Sequence, residues 1–437
     1  MPARGRGEAG VGSSARVGGD SRGHTGARTM PAPTTRVEVA VREGFEVRRV
    51  VTPLERPWPE LLGGALGGVK VPDGAAWGAI AGRLAPAGSF ADPGEARGVD
   101  DERAPFVVLD TETTGLAHDA GTLAFLVGLA WLRGGALVVE QWLLQRLGAE
   151  AAMLRALVER VAALRGATGA LVTYNGASFD LPLLRARLRR HGVDDAGLGG
   201  LHLDLLVIAR RIWRAPGVDL RLGAVERARL GVRRQGDVPG HAIPAAFWSW
   251  LDAPTAPGPA ALLEKVLAHN AADLITLPAV GRALAAAIEV PPDLAAGLRV
   301  ARHHLARGAS REALGSLGPW LPEARGLAAS PGAGRPAGLG PVSSDERRAW
   351  LLAAGILARE GEVRRAAALL ESICARDPGD APAHEALARL LEHRLGDPEA
   401  ALSVLRRSTG AVSRQRLDRL ARKVALRSTP ALIPRGP

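Results

Sequence analysis

The segment 106–116, FVVLDTETTGL, constrains this chain more than any other, because an apolar run leads directly into two acids one residue apart. Such a run, bounded by turn residues, predicts a buried strand. Residues two apart on a strand point to the same face, so Asp110 and Glu112 are predicted to lie side by side at a strand end, with Gly115 allowing a sharp exit. Carboxylates this close repel unless a cation lies between them, and hard oxygen ligands favour Mg²⁺ or Mn²⁺. Two solvated acids at a strand end would give the same local pattern.

Around this segment, short apolar runs typical of strands alternate with stretches in which apolar residues recur at helical spacing. This pattern predicts an α/β domain over 105–290. Strands leading the pattern and then alternating with helices imply a mixed central sheet covered by helices, a three-layer fold. The predicted strands are 106–109, 122–132, 137–145 and 170–174, and the predicted helices are 149–164, 181–190, 205–214 and 262–284.

The C-terminal part of the chain is predicted to be all-helical. Alanine pairs at 366–367 and 400–401 each follow a glycine and recur after 34 residues, the period of a tetratricopeptide repeat. The remaining boundaries follow from composition. We predict a disordered basic tail at 1–35, a poorly defined extension at 36–104 containing one strand, a helical connector at 291–320, a linker at 321–345, tetratricopeptide-like helices at 346–425 and a tail at 426–437.

Composition narrows the class of protein. The net charge of +11 favours a polyanionic partner such as nucleic acid. Cys374 is the single cysteine, which excludes an internal disulfide framework and suits a reducing cytosol. The basic N-terminus has no apolar region after it, so no signal peptide is predicted, and the apolar run 123–132 is too short for the roughly 20 residues of a membrane span. We therefore expect a cytoplasmic protein with no membrane partner.

Two further motifs could complete a site with Asp110 and Glu112. In the segment 174–180, YNGASFD, Asp180 is predicted at a helix N-terminus, where the helix dipole favours a carboxylate. His269 and Asp273 are four residues apart and would share one face of a helix. Taken alone, Asp180 could be a simple helix cap, and His269 with Asp273 could be a surface ion pair. The inference of a shared site therefore rests on the order of the motifs along the chain.

That order, Asp-x-Glu, then Asn-x-x-x-Phe-Asp, then His-x-x-x-Asp, resembles the DEDD exonuclease branch of the ribonuclease H-like superfamily. The chain is most similar to the YprB-type predicted exonucleases, and a repeat-like helical C-terminus also suits them. The resemblance covers roughly 105–290. It lies in LDTETTGL (109–116), GTLAFLVGLAWL (121–132), LVTYNGASFDLPLLRAR (171–187), LHLDLLVIARRIWR (201–214), VPGHAIP (238–244) and HNAADLITL (269–277).

The resemblance implies roles for the motif residues. Asp110, Glu112, Asp180 and Asp273 match four metal-binding carboxylates that would hold two Mg²⁺ or Mn²⁺ ions across a phosphodiester bond. His269 matches the general base, since histidine titrates near neutral pH. The branch with a catalytic histidine usually places it five residues before the last aspartate, whereas here the gap is four, as in the branch that uses tyrosine.

Candidate residues around this set are less sharply defined. Asp204, on a predicted strand end, resembles a family aspartate and is as compatible with a structural or supporting role as with metal contact. Thr113, Asn175, Arg210 and Arg211 are the candidate substrate-binding residues. The two arginines could equally belong to a solvated helix face.

The leading functional hypothesis is a metal-dependent nuclease of the 3′-to-5′ exonuclease type, acting on DNA or RNA. Its C-terminal helices would bind a protein partner or extend the nucleic-acid track. A rival hypothesis is a non-catalytic nucleic-acid-binding or scaffold protein on the same fold, and an endonuclease using the same site is a third.

Overall fold

A seven-stranded mixed sheet organises the computed structural model, which describes residues 35–54, 69–86, 103–115, 121–323 and 342–428. The strand order across the sheet is β1-β2-β5-β4-β3-β6-β7. The strands are β1 (Arg36–Arg42), β2 (Phe45–Pro53), β3 (Phe106–Thr113), β4 (Ala124–Arg133), β5 (Ala136–Leu144), β6 (Ala170–Thr173) and β7 (His202–Asp204).

The acidic strand β3 lies inside the sheet, where its pairing changes direction. It runs antiparallel to β4, with Asp110 opposite Gly128, and parallel to β6. The register shifts between Glu112 and Thr113, where the strand leaves its ladder with β4. Strands β1, β2, β5 and β4 are joined antiparallel, and β6 pairs parallel with β7.

Helices cover both faces of this sheet. Odd-numbered β3 residues Val107 and Leu109 join an apolar cluster with α2, α3 and α6, whereas Phe106 and Val108 join one with α1, α4 and α7. This alternation is the period of two expected for a strand buried on both faces, and it confirms the three-layer α/β fold. The helices of this part are α1 (Gly74–Leu84), α2 (Glu150–Arg165), α3 (Asp180–Arg190), α4 (Leu205–Trp213), α5 (Leu222–Val225), α6 (Ile243–Asp252) and α7 (Pro257–Glu289).

The sheet begins well before residue 105, where the sequence placed the start of the α/β domain. Strand β2 pairs with β5 along its full length, from Phe45 opposite Leu144 to Pro53 opposite Ala136. Helix α1 packs on α7, and Trp77 is fully buried against Phe106. The described parts of the predicted extension 36–104 are therefore two strands and a helix of the same domain.

Helix α7 is long and apolar enough to cross a membrane by length and composition, but 72% of its apolar window is buried inside the protein. It contacts β3, β4 and β5 and packs on α1, α4 and α6. Its apolar character is thus explained by its place in the core of the domain.

The chain after α7 is helical, as predicted, and forms a third apolar cluster. Helix pairs α10–α11 and α12–α13 turn at Gly361 and Gly396, both with positive φ. The helices are α8 (Leu294–Ala306), α9 (Ser310–Leu317), α10 (Ser344–Arg359), α11 (Val363–Arg376), α12 (Ala381–His393), α13 (Pro398–Arg407) and α14 (Arg414–Ser428). Helix α14 extends through 426–428, where the sequence predicted a tail. The predicted tail 1–34, most of the linker (324–341) and residues 429–437 lie outside the described residues.

Candidate active site

The first two acids lie side by side on one face of β3 near its C-terminal end, as predicted, and the strand continues to Thr113. Asp110 is partly buried and Glu112 is buried. Both follow the face of Phe106 and Val108, which is covered by α7. The predicted strand 106–109 is four residues too short, because the structure continues β3 through both acids to Thr113.

Asp180 is the first residue of α3, as predicted, and is only 4% exposed. Thr111, which lies between Asp110 and Glu112 on the opposite face of β3, donates a hydrogen bond from Oγ1 to Asp180 Oδ1 at 2.6 Å. The neutral hydroxyl of Thr111 thus connects β3, the strand that carries Asp110 and Glu112, to Asp180 of α3.

The loop before α3 depends on backbone conformations that few residues adopt. Asn175 has φ of 70°, and a Cβ at Gly176 would lie 2.4 Å from the Thr173 hydroxyl. Asp204 accepts hydrogen bonds from the backbone N–H groups of Asn175 and Ala177 at 2.9 and 3.0 Å, and it caps α4. Among the roles considered for Asp204, these contacts give it one in shaping the loop that leads to Asp180.

His269 and Asp273 lie one turn apart on α7, as the spacing predicts. The His269 ring Nδ1 is 2.6 Å from Asp237 Oδ1. Because a carboxylate accepts, Nδ1 carries the proton, and Nε2 faces Asp273 Oδ2 at 3.8 Å and Glu112 Oε1 at 4.0 Å. An aspartate that fixes the tautomer of a histidine is a recurrent device for aiming its second nitrogen.

Arg234 holds the other oxygen of Asp273. Its guanidinium pairs with Asp273 Oδ1 and, at 2.5 Å, with Glu226 Oε1, and it lies 3.6 Å from Asp237. Glu226 is almost fully buried and also accepts a hydrogen bond from Thr276 at 2.5 Å. Asp273 is therefore fixed by a buried cation that is itself anchored.

Asp110 is oriented by two amide side chains. Gln141 Nε2 donates to the Leu267 carbonyl at 2.8 Å and to Asn270 Oδ1 at 3.0 Å. The Leu267 carbonyl can only accept, so the atom of Gln141 that faces it must be the amide nitrogen. The same nitrogen donates to Asn270 Oδ1, which leaves the Asn270 nitrogen to face Asp110. Asn270 Nδ2 donates to Asp110 Oδ2 at 2.9 Å.

Gly128, which is opposite Asp110 on β4, makes room for this relay. A Cβ at Gly128 would lie 2.3 Å from Asn270 Oδ1 and 2.5 Å from Leu274. Any larger residue would push Asn270 away from the acid.

Asp110, Glu112, Asp180 and Asp273, here called the acidic cluster, influence one another's ionisation. Burial, followed by the charges of Asp273, Glu112 and Asp180, raises the pKa of Asp110 well above its usual value. Burial raises the pKa of Glu112 to about 8, opposed by His269 and assisted by Asp273 and Asp180. Burial also raises the pKa of Asp180 to about 6 against the hydrogen bond from Thr111. Full ionisation of the cluster is therefore unfavourable unless a cation is bound there.

His269 responds in the opposite direction. Burial lowers its pKa, but the hydrogen bond to Asp237 and the charges of Asp273 and Glu112 outweigh burial and raise the pKa to about 9. The ring is thus protonated at neutral pH when no cation is bound to the surrounding acids. Its pKa would fall if a divalent cation offset those acids.

The acids are close but are turned towards protein partners. In the part of the chain that the structure describes, no three histidine, cysteine, aspartate or glutamate side chains already form a ligand set for a metal ion. Asn270, Thr111 and Arg234 each hold an oxygen of one acid. Metal binding by this cluster would require small side-chain rotations away from these partners.

A cavity of about 550 Å³ opens beside the cluster between α7 and the segment 222–237. Glu226–Leu230 forms a π-helical turn in that segment, a feature common at functional sites. The cavity is lined by Leu222, Gly223, Glu226, Arg227, Val232, Arg233, Arg234, Asp237, His269 and Asp273.

The predicted substrate-binding residues do not line this cavity. Thr113 is buried and donates to the Gly115 carbonyl at 2.6 Å. Asn175 shapes the loop before α3, and Arg210 and Arg211 are exposed in the last turn of α4. Their roles in substrate binding remain predictions.

Sequence reasoning missed Asp237, Arg234 and the Gln141–Asn270 relay. Two of these residues could have been found from their position in the sequence. Asn270 directly follows His269, and Asp237 directly precedes the family-like segment 238–244. Gln141 had no such signal, because its contact with Asn270 joins residues 129 positions apart.

The comparisons with known proteins agree with this architecture. Residues 107–285 match the RNase H superfamily. The matched range 107–285 contains all five predicted catalytic residues, and residues 347–390 match the tetratricopeptide repeat. A curated relative, the uncharacterized protein YprB of Bacillus subtilis (strain 168), is 37% identical over 170 residues, which are 38% of this chain and 39% of that protein. The expected RNase H-like domain, YprB likeness and C-terminal repeat are thereby confirmed.

Proposed function

We propose that this protein is a metal-dependent nuclease that hydrolyses phosphodiester bonds of DNA or RNA, as a 3′-to-5′ exonuclease using two divalent ions. The observation that carries the proposal is the convergence of Asp110, Glu112, Asp180 and Asp273 from β3, α3 and α7 at one partly buried place. The RNase H superfamily consists generally of hydrolytic nucleases, which supports the reaction class. Direction and metal number rest on the resemblance to DEDD exonucleases.

The chemistry of the donor set fits divalent cations. Carboxylate oxygens are the ligands preferred by Mg²⁺ and Mn²⁺. The raised pKa values of Asp110, Glu112 and Asp180 show that burial and the neighbouring acids make ionisation costly without a cation. Asp110, Glu112, Asp180 and Asp273 would hold the ions. Bound there, the ions would supply charge neutralisation and a nucleophile of lowered pKa.

The protein residues have distinct roles in this proposal. The relay through Asn270 and the hydroxyl of Thr111 hold Asp110 and Asp180 in place. Asp237 keeps a proton of His269 on Nδ1, so that Nε2 faces the acids. With bound ions offsetting those acids, the pKa of His269 would fall and Nε2 could accept a proton from the attacking water. This orientation suits a general base despite the spacing of four residues between His269 and Asp273.

The test is hydrolysis of labelled nucleic acids by the full chain. A panel of single- and double-stranded DNA and RNA, with Mg²⁺ or Mn²⁺, should show cleavage by the wild type and none by the Asp110→Ala, Glu112→Ala double variant. Equal rates for the two proteins would refute the assignment. Circular substrates would distinguish cleavage from an end from internal cleavage.

The rest of the chain adds expectations about context. We propose that the tetratricopeptide-like helices bind a protein partner or lengthen the nucleic-acid track, and that the protein acts in the cytoplasm. The rival scaffold function is favoured by one observation, that the acids are engaged by Asn270, Thr111 and Arg234. Calorimetric titration separates the two functions, since a scaffold would bind neither Mg²⁺ nor Mn²⁺.

A further inference from the structure

The cavity beside the acidic cluster presents two arginines that the proposed catalytic machinery does not use. Arg227 lies in the π-helical turn, and Arg233 follows Gly231, whose φ of 70° reverses the chain. Both side chains line the cavity together with His269 and Asp273. Two arginines thus share a cavity with Asp273, one of the acids that would hold metal ions.

Arg227 and Arg233 differ from their neighbour Arg234 in having no ion-pair partner in the part of the chain that the structure describes. Arg234 is committed to Asp273 and Glu226. Within the described ranges, neither Arg227 nor Arg233 forms an ion pair, and both residues are exposed. Arg227 acts on Asp219 only through its field, and Asp219 is paired with Arg221.

The Arg227 side chain lies back along its own helical segment, next to another residue that lines the cavity. Its guanidinium lies 3.7 Å from where a Cβ of Gly223, another lining residue, would stand. A guanidinium is a planar fork of N–H donors that matches phosphate oxygens. Free cations beside an acidic cluster are also needed if a polyanion is to approach that cluster at all.

We propose that Arg227 and Arg233 form a phosphate-binding subsite that holds the backbone of a nucleic-acid strand next to the scissile bond. The subsite rests on the proposed function for its ligand, a phosphodiester strand. It assigns strand binding to the segment 222–237 rather than to Arg210 and Arg211 of α4, which lie outside the cavity lining.

The test is binding of a fluorescein-labelled single-stranded oligonucleotide, DNA and RNA in turn, to the full chain carrying Asp110→Asn to prevent turnover. The Arg227→Gln, Arg233→Gln double variant should bind about tenfold more weakly. The slope of log affinity against log salt should fall by about 1.4, since each phosphate contact to a single strand contributes roughly 0.7.

A matched control removes the same charge elsewhere. Arg189 and Arg190 are exposed at the far end of α3, roughly 15 Å along the helix from Asp180. The Arg189→Gln, Arg190→Gln variant should bind within about twofold of its parent. An equal loss of affinity in this variant would show that only the net charge of the protein matters, and it would overturn the subsite.

Two further outcomes separate the subsite from the proposed function. If wild-type protein hydrolyses nucleic acid but the Arg227→Gln, Arg233→Gln variant binds as tightly as its parent, or Arg210→Gln, Arg211→Gln alone weakens binding, the subsite is wrong and the function stands. If binding depends on Arg227 and Arg233 while the wild type cleaves nothing, the function is wrong and the subsite stands. A parent that binds no oligonucleotide overturns the subsite.

Discussion

The two halves of the site hold their acids in different ways. The first half, here called the strand half, comprises Asp110 and Glu112 of β3 together with Asp180, which Thr111 of β3 holds at the start of α3. There, Asp110 and Asp180 receive hydrogen bonds from the neutral side chains of Asn270 and Thr111. In the helix half, Asp273 and Asp237 are paired with the cations Arg234 and His269. Neutral donors orient a carboxylate without offsetting its charge, whereas cations do both.

This difference explains the pKa pattern. The pKa values of Asp110, Glu112 and Asp180 are raised, since burial and mutual repulsion outweigh neutral donors. The pKa of Asp237 is lowered, because the hydrogen bond and charge of His269 outweigh its burial. The strand half is therefore the part that requires a bound cation, and the helix half is already compensated.

The largest expected effect is on catalysis. Glu112→Gln, in the strand half, should lower hydrolysis by roughly 10³-fold or more, because it removes a proposed metal ligand. Asp237→Asn should cost only about 10–100-fold, since Asp237 acts through His269. Single-turnover rates in Mn²⁺ would measure both, and equal losses would contradict the division into halves.

The next effect is on folding, in the helix half. Arg234→Met should destabilise the protein by about 3–5 kcal/mol, because Glu226 would remain buried without its cation. Urea denaturation would measure the change. The Arg234→Met, Glu226→Gln double variant, which removes the stranded charge, should regain much of the loss. A double variant no more stable than the single one would show that the pair is not the cause.

A smaller effect is expected from the relay behind the strand half. Gln141→Leu should cost about 1–3 kcal/mol of stability, since it removes two buried hydrogen bonds and frees Asn270 to turn its oxygen towards Asp110. Calorimetry should also show weaker Mn²⁺ binding, although Gln141 does not touch the acids. Gly128→Ala would reproduce the loss by displacing Asn270 directly. Unchanged Mn²⁺ affinity in both variants would confine the relay to a structural role.

Counted per pH unit, the smallest effect is the pH dependence of the stability of the metal-free protein. The pKa of Glu112 is about 8 in the folded protein, compared with 4.5 for an unperturbed glutamate. Between pH 4.5 and 8 the unfolded state therefore binds fewer protons than the folded state. Stability should therefore fall as pH rises from 4.5 to 8, and His269, with a pKa of about 9 against 6.5, extends the fall. The slope is at most roughly 1.4 kcal/mol per pH unit for each proton. Denaturation in chelator should show a shallower fall for Glu112→Gln, and identical slopes would count against the raised pKa.

The sequence predicted the five motif residues because each lies in a short pattern whose spacing fixes its direction on a strand or helix. Asp110 and Glu112 are two apart on β3, and His269 and Asp273 are one turn apart on α7. The local pattern could not predict how far β3 extends into the core, since buried acids depend on partners from other elements.

The supporting residues depend on long-range contacts that leave no local trace. Gln141 and Arg234 meet the site only because β5 and the segment 222–237 fold against α7. The pairing of β2 with β5 was equally hidden, because the Gly- and Pro-rich composition of 57–98 separates β2 from the rest of the domain in the sequence.

The contact of α1 with α7 has a practical consequence for shortened forms of the protein. Trp77 packs so closely on Gly281 that a Cβ there would lie 2.7 Å from its ring. A chain beginning at residue 105 would lose this tryptophan together with β1 and β2, which would leave β5 as an unpaired sheet edge. Exposed edges of this kind invite pairing with other chains. An isolated RNase H domain that remains monomeric should therefore begin near residue 36 and continue past Glu289.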